Sequence, residues 1–374
     1  MSREATVQSA LNRYLDPRHL TPQQRKVCLH LQACRTEAMG GRLLRCNRCD
    51  GEQRWYHGCR DRHCPQCQGR ATRQWAERQR ESGLPVAYYH LVFTLPHALN
   101  GWAQCHPEVI YACLFKSVWM TLKAFAADPR RLGGQLGMTA VLHTWDRRLG
   151  QHLHLHCLVP GGVLGADGDW KAVKGSYLFP VRALSRYFRG VMVGALRHCA
   201  RTGELQRIET GEVDRILSVL MQQDWVVYTR HCLSHTDAVI EYLARYSHRI
   251  AITNARLLAV DAAGVRLRYK DSRTDQHRIL QLSGEEFVRR FLRHILPKGF
   301  MRIRHYGFLA GCCRATKLDQ IRDALAHPSL SKAMETTADS PGDACPCCPL
   351  CGAGVMQWVA ELIPTASWAH RRRR

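Results

Sequence analysis

Apolar and polar residues alternate strictly over residues 151–159, QHLHLHCLV, and a period of two predicts a β-strand. A strand points successive side chains to opposite faces, so His152, His154 and His156 share one face while Leu153, Leu155 and Cys157 share the other. Residues 138–145 predict a second strand, and the polar stretch 146–150 joins the two as an antiparallel hairpin. Residues 88–95, YYHLVFTL, are a third β-rich run, stopped by Pro96. Between the first and third runs, residues 107–126 carry apolar positions at helical spacing.

Nearer the N-terminus, Thr21 followed by Pro22 is a helix start, and the helix runs to about Ala33. Farther along, Ser234 and Asp237 resemble a capping box that opens a helix over 237–246. Residues 249–253 and 265–270 predict strands. In the second, Val265, Leu267 and Tyr269 alternate with Arg266, Arg268 and Lys270, giving one packing face and one basic face. Residues 285–295 form an amphipathic helix ended by Pro297 and Gly299.

Composition adds three constraints. A chain of 374 residues with 45% hydrophobic content has room for two or three domains with their own cores. Its net charge of +23 predicts a polyanionic partner, most simply nucleic acid. The polar first residues lack the apolar run of a signal peptide and no segment reads as a membrane span, so a cytoplasmic protein without a membrane partner is expected. The 18 cysteines, many in Cys-x-x-Cys pairs, then point to metal binding rather than disulfides. Composition divides the chain into a Cys-rich module at 1–80, a domain of mixed strands and helices at 86–310 and a basic Cys-containing appendage at 311–374.

Cys46-x-x-Cys49 and Cys64-x-x-Cys67 have the spacing of a structural zinc site. Cys34, Cys59, His57 and His63 are left for a second site or a different partition of the first. In the tail, Cys348-x-x-Cys351 offers another knuckle, joined by Cys345 or Cys347. Arg60 and Arg62, with Arg70 and Arg73, surround the N-terminal knuckles as candidate DNA contacts, the alternative being a solvated basic face.

The histidine strand reads as a metal-binding face, since imidazoles at i and i+2 can grip one divalent ion; the alternative is a merely polar surface. Tyr242 and Tyr246 are four residues apart, which on a helix puts both phenols on one side. Alone they read as core filling. Beside a metal site in a basic protein they become candidate nucleophiles, because a phenol of pKa ~10 needs a metal-polarised phosphate or a base to react near neutrality. Arg245 and Arg249 flank them and are placed to clamp a phosphate.

These motifs, with the Val92-Phe93-Thr94-Leu95-Pro96 strand, resemble those of HUH single-strand endonucleases. The segments CRDRHCPQC from Cys59, YLARYSHRIAITN from Tyr242 and LPKGFMRIRHYG from Leu296 are similar to the two-tyrosine rolling-circle transposases of insertion sequence 91-type elements, over about residues 20–355. Leu153 stands where such proteins often have Pro, and Cys312-Cys313 where polar or basic residues are expected. The resemblance implies an α+β fold in which an HUH domain, a central antiparallel sheet flanked by helices, follows the zinc module and precedes the small tail. It implies that Tyr242 and Tyr246 attack phosphates of single-stranded DNA, giving a 5′-phosphotyrosine and a free 3′-OH. It makes His154 and His156 ligands of a catalytic Mg²⁺ or Mn²⁺, with His143 on the preceding strand as candidate third ligand ahead of His152 and His90. Bond energy is conserved in such chemistry, which agrees with the lack of a G-x-x-x-x-G-K-[ST] phosphate loop in the sequence. The alternatives are a plasmid replication initiator or relaxase with the same chemistry, and an inactive zinc-dependent DNA-binding regulator. Few carboxylates lie between Val86 and Gly165, which disfavours a carboxylate-triad transposase.

Overall fold

The computed structural model describes residues 5–69, 72–74, 77, 83–175, 177–232, 251–271, 273–325 and 347–365, and these form two compact units. One comprises residues 1–71, 252–295 and 332–374, the other residues 72–251 and 296–331. This division departs from the three consecutive regions expected. Residues 252–295, assigned to the central domain, and the tail beyond 332 both belong with the N-terminal segment.

In the first unit, helix Pro22–Ala33 starts as expected. The Thr21 hydroxyl accepts the Gln24 N–H at 3.2 Å, and Gln24 Oε1 accepts the Thr21 N–H at 3.0 Å. Strand β1 (Gly41–Cys46) lies between β2 (Glu52–Tyr56) and β13 (Met356–Leu362), antiparallel to both, so the tail completes a sheet begun more than 300 residues earlier rather than standing apart. A second antiparallel sheet is a meander of β9 (Leu257–Asp261), β10 (Gly264–Lys270) and β11 (His277–Leu282). In β10, Val265 and Leu267 are buried and Arg266, Arg268 and Lys270 exposed, which follows the alternation in the sequence. Helix Gly284–Leu292, capped by Ser283, packs against helix Val7–Tyr14. A Cβ at Gly284 would lie 2.1 Å from the Tyr14 ring, so only glycine permits this contact. The Val7 N–H donates to Asn254 Oδ1 at 3.1 Å, and the Tyr14 hydroxyl donates to the Asp261 carbonyl, tying the two chain segments together.

The strand expected at 249–253 does not form over its described part. Residues 251–253 are irregular and lead into a 3-10 turn, Asn254–Arg256. Ala251 and Ile252 are both buried, but among the described residues no strand pairs with them, so the segment has no ladder to join. The helix expected over 237–246 lies outside the described residues.

The second unit is built on a five-stranded antiparallel sheet of order β12-β4-β5-β3-β8. Its strands are β3 (Tyr88–Thr94), β4 (Gly137–Trp145), β5 (Gln151–Pro160), β8 (Val227–Cys232) and β12 (Ile303–Gly307), while β6 (Gly162–Leu164) and β7 (Trp170–Ala172) form a separate antiparallel pair. The hairpin predicted between β4 and β5 is at its centre. One face carries Leu91, Phe93, Leu142, Leu153, Leu155 and Cys157, all fully buried, under the helices Pro107–Ala127 and Val181–Arg201. Phe93 meets Phe188 edge to face with ring centroids 5.1 Å apart, and burial of such rings is the main stabilising term of this layer. Helix Pro107–Ala127 is long and apolar enough to cross a membrane, contrary to the expectation that no segment is. Its Ile110, Leu114, Phe115, Val118 and Leu122 are instead buried in the core of this unit.

Candidate metal centres

The opposite face of the five-stranded sheet carries histidines. His143 on β4 stands directly opposite His154 on β5, and His156 is the next residue along that face. The ring centroids of His143 lie 5.3 Å from those of His154 and 4.4 Å from those of His156, and His154 and His156 are 4.9 Å apart. One ring nitrogen from each falls within 4.8 Å of the other two. His143 and His156 are buried and His154 half-buried, so the group combines a rigid base with an open side. Three imidazoles on paired strands suit a divalent ion with positions left for other ligands.

Neighbouring groups orient these rings. His154 Nδ1 lies 2.9 Å from the His152 carbonyl, so this nitrogen carries the proton and Nε2 presents its lone pair. His143 stacks on Trp145, centroids 4.6 Å apart at 21°. His90 on β3 sits behind His156, with its Nε2 2.8 Å from His156 Nδ1, and is outside the three-nitrogen cluster. Burial, aided by the positive charge of Arg230, pushes the His90 pKa down to about 4.

His152 is also outside the cluster, although its ring centroid lies 4.9 Å from that of His154. Ladder pairing slips by one residue between His143–His154 and Trp145–Gln151, and a bulge re-aims the side chain beside it. The His152 ring stands 5.3 Å from His97, and burial, then the neighbouring His97, lower its pKa. Tyr242, Tyr246, Arg245 and Arg249 lie outside the described residues.

The face extends farther than the alternation in β5 implied. His305 on β12 is paired with Thr139 on β4, its Nδ1 2.9 Å from the Thr139 hydroxyl, and burial, then Arg314, push its pKa down to about 4. The residues around it, Ile303-Arg304-His305-Tyr306, hold no run of alternating apolar and polar positions that would mark a strand without the partner it pairs with.

Eight cysteines of the first unit form two clusters, each of four sulfurs within 4.8 Å of one another. Cys34, Cys59, Cys64 and Cys67 make one, with Sγ separations of 3.5 Å for Cys34–Cys64, 3.6 Å for Cys34–Cys67 and 3.8 Å for Cys59–Cys67. Cys46, Cys49, Cys348 and Cys351 make the other, with Cys46–Cys351 and Cys49–Cys348 both at 3.7 Å. The edge of a tetrahedron of Zn–S bonds of ~2.3 Å is about 3.8 Å, so these donor sets fit zinc and are too open for disulfides.

This corrects the pairing of Cys46 and Cys49 with Cys64 and Cys67. Each knuckle closes with a partner that spacing in the chain cannot reveal: Cys64 and Cys67 take the leftover Cys34 and Cys59, and the N-terminal knuckle takes the tail knuckle. Cys345 lies outside the described residues, and Cys347 is exposed and outside the cluster. The two knuckles of the second cluster repeat one turn: the Arg48 N–H donates to Cys46 Sγ and the Leu350 N–H to Cys348 Sγ, both at 3.4 Å. Backbone N–H groups of Ala353 and Gly354 lower the Cys351 thiol to about 6, toward the thiolate a metal requires. A Cβ on Gly354 would come 2.3 Å from Cys46 Sγ, so this glycine permits the closure. At the first cluster, Asp61 accepts from His63 Nδ1 at 2.9 Å and His30 Nδ1 at 3.1 Å, joining the knuckle loop to helix Pro22–Ala33. Of the arginines there, Arg60 is exposed, while burial lowers the pKa of the half-buried Arg62.

Comparison with known proteins agrees with zinc at the cysteine clusters. A family described as transposase zinc-binding domain matches residues 6–95, and a putative transposase family matches residues 137–317, which contain the histidine hairpin. A putative transposase, y4qJ, of Sinorhizobium fredii is 40% identical over 354 residues, 90% of this chain and 89% of that one. The transposase for insertion sequence element IS801 of Pseudomonas savastanoi pv. phaseolicola is 28% identical over 309 residues, 78% of this chain and 72% of its own length. No solved structure matches. With one four-cysteine cluster wholly inside the zinc-binding match, a second that starts there, and relatives aligned over most of its length, the chain belongs to the insertion sequence 91-type transposases with an N-terminal zinc-binding domain.

Proposed function

We propose that this chain moves an insertion sequence by nicking and rejoining single-stranded DNA through tyrosine transesterification. The observation that carries the reading is the His143, His154 and His156 cluster on the central hairpin. These residues would hold a Mg²⁺ or Mn²⁺ ion, which supplies Lewis-acid polarisation of the scissile phosphate. The phenol oxygen of Tyr242 or Tyr246 forms a bond to phosphorus and the bond from phosphorus to the 3′ oxygen breaks, leaving a 5′-phosphotyrosine and a free 3′-OH. The second tyrosine repeats the exchange on another strand, so the number of phosphodiester bonds is conserved. Arg245 and Arg249 clamp the phosphate, and Arg60 and Arg62 of the zinc-bearing unit contact the element's terminal DNA.

The test is covalent adduct formation. Wild-type protein incubated with single-stranded element ends and Mn²⁺ is expected to give an adduct that survives denaturation. A Tyr242→Phe, Tyr246→Phe double variant is expected to lose it while keeping DNA affinity. A wild type that forms no adduct with any single strand in Mg²⁺ or Mn²⁺ overturns the reading.

A further inference from the structure

The second ring nitrogen of a metal-binding histidine decides which lone pair faces the ion, and at His156 that nitrogen meets another histidine. Strand pairing sets Val92 opposite His156 and His90 opposite Leu158, so His90 is one pleat farther along the same face. Its Nε2 reaches diagonally to within 2.8 Å of His156 Nδ1, with the two ring planes 9° from parallel and centroids 5.1 Å apart. Both side chains are buried, at 3% and 8% exposure, so water does not compete for this bond.

We infer that His90 is the positioning residue for His156, holding it with Nδ1 protonated and Nε2 turned to the ion through an uncharged acceptor. The inference rests on the proposed metal role of the cluster and deepens it. An imidazole that ligates through Nε2 keeps its proton on Nδ1, so His156 donates and His90 Nε2 accepts. The His152 carbonyl serves His154 in the same way, at 2.9 Å. Metal-bound histidines often donate to carboxylates, which add negative charge near the ion. Here both acceptors shown are neutral, so more of the ion's charge is left for a phosphate, while the ion is held less tightly than a carboxylate partner would hold it.

The probe is Mn²⁺ alone, titrated into full-length zinc-loaded protein and read by the electron paramagnetic resonance of the free ion. His90→Leu removes the acceptor, and Mn²⁺ affinity is expected to fall about 10- to 100-fold. His90→Gln places an amide oxygen at similar reach and is expected to recover most of the loss. His90→Glu is expected to bind Mn²⁺ more tightly than wild type. Retained zinc and an unchanged circular dichroism spectrum show that each variant is folded. If folded His90→Leu binds Mn²⁺ like wild type, if Gln fails as badly as Leu, or if Glu weakens binding as Leu does, the inference is overturned. Loss of Mn²⁺ binding in His154→Ala separates the two ideas. If wild type and His154→Ala bind equally weakly, the metal reading of the cluster fails, and if only His154→Ala differs from wild type, the role of His90 alone fails.

Discussion

His143 and His154 face each other across β4 and β5 with ring centroids 5.3 Å apart, which makes the β-hairpin a preformed clamp able to hold a divalent ion. Because both strands are interior to the five-stranded sheet, hydrogen-bonded on both sides, the clamp holds its geometry without an ion to organise it.

Removing a clamp residue should therefore differ sharply from removing its neighbour. His154→Ala is expected to lower adduct formation by about 100-fold or more, since the ion loses a ligand. His152→Ala is expected to keep activity within about 10-fold of wild type. Single-turnover adduct assays at fixed Mn²⁺ compare the two, and equal losses would mean that His152 is a ligand after all.

Zinc content tests the cysteine partition. Wild type is expected to hold two zinc ions per chain, one for each four-cysteine cluster. Cys46→Ser with Cys348→Ser should lose one ion, because both belong to one site. Cys46→Ser with Cys64→Ser should lose two. Elemental analysis of purified protein reads the difference, and the opposite pattern would restore the pairing of Cys46 and Cys49 with Cys64 and Cys67. Chelating both ions should unfold the first unit, since metal binding at structural sites contributes about 10–16 kcal/mol.

His305 predicts a dependence of stability on acidity. Its folded pKa of about 4 lies below the unfolded value of ~6.5, so the unfolded chain binds the extra proton first as pH falls. Its contribution is fully present above pH ~6.5 and is lost as pH drops toward 4, by roughly 2–3 kcal/mol at most. Urea unfolding of the zinc-loaded protein without added Mg²⁺ or Mn²⁺ from pH 7.5 to 4 should show this loss. His305→Asn should flatten the curve over that window, and an unchanged slope would rule out this origin.

Arg60 is exposed on the knuckle loop, so its charge is available to a phosphate. Arg60→Ala is expected to weaken DNA binding and to reduce the slope of log affinity against log salt by about one, without changing thermal stability. Fluorescence anisotropy between about 50 and 200 mM salt measures the slope. A variant with unchanged slope places Arg60 away from the DNA.

Local chemistry explains how much of this was legible from the residues. Thr21-Pro22 carries its own start signal, and Pro107 opens a helix whose apolar spacing persists to Ala127, so both helices stand where their sequences put them. The hairpin of β4 and β5, with His143 opposite His154, follows from two alternating runs and a short polar turn. The zinc partners do not follow, because Cys-x-x-Cys defines half of a site and nothing local distinguishes Cys64 from Cys348 as the other half. Nor does the return of 252–295 to the N-terminal segment follow, since contacts such as Val7 with Asn254 and Tyr14 with Asp261 join positions with no shared local pattern. His152 shows the same limit in miniature: alternation put its ring 4.9 Å from that of His154, yet beside a one-residue slip in the ladder it falls outside the three-nitrogen cluster.

The second cysteine cluster also puts a clock on the making of this protein. Cys46 and Cys351 are 305 residues apart, so that site has only half its ligands until synthesis reaches the tail knuckle. At about 5–20 residues per second, the first knuckle waits roughly 15–60 s for its partner. A chain terminated before Cys351 never closes the site, so only protein that extends past that residue matures into a metal-locked first unit.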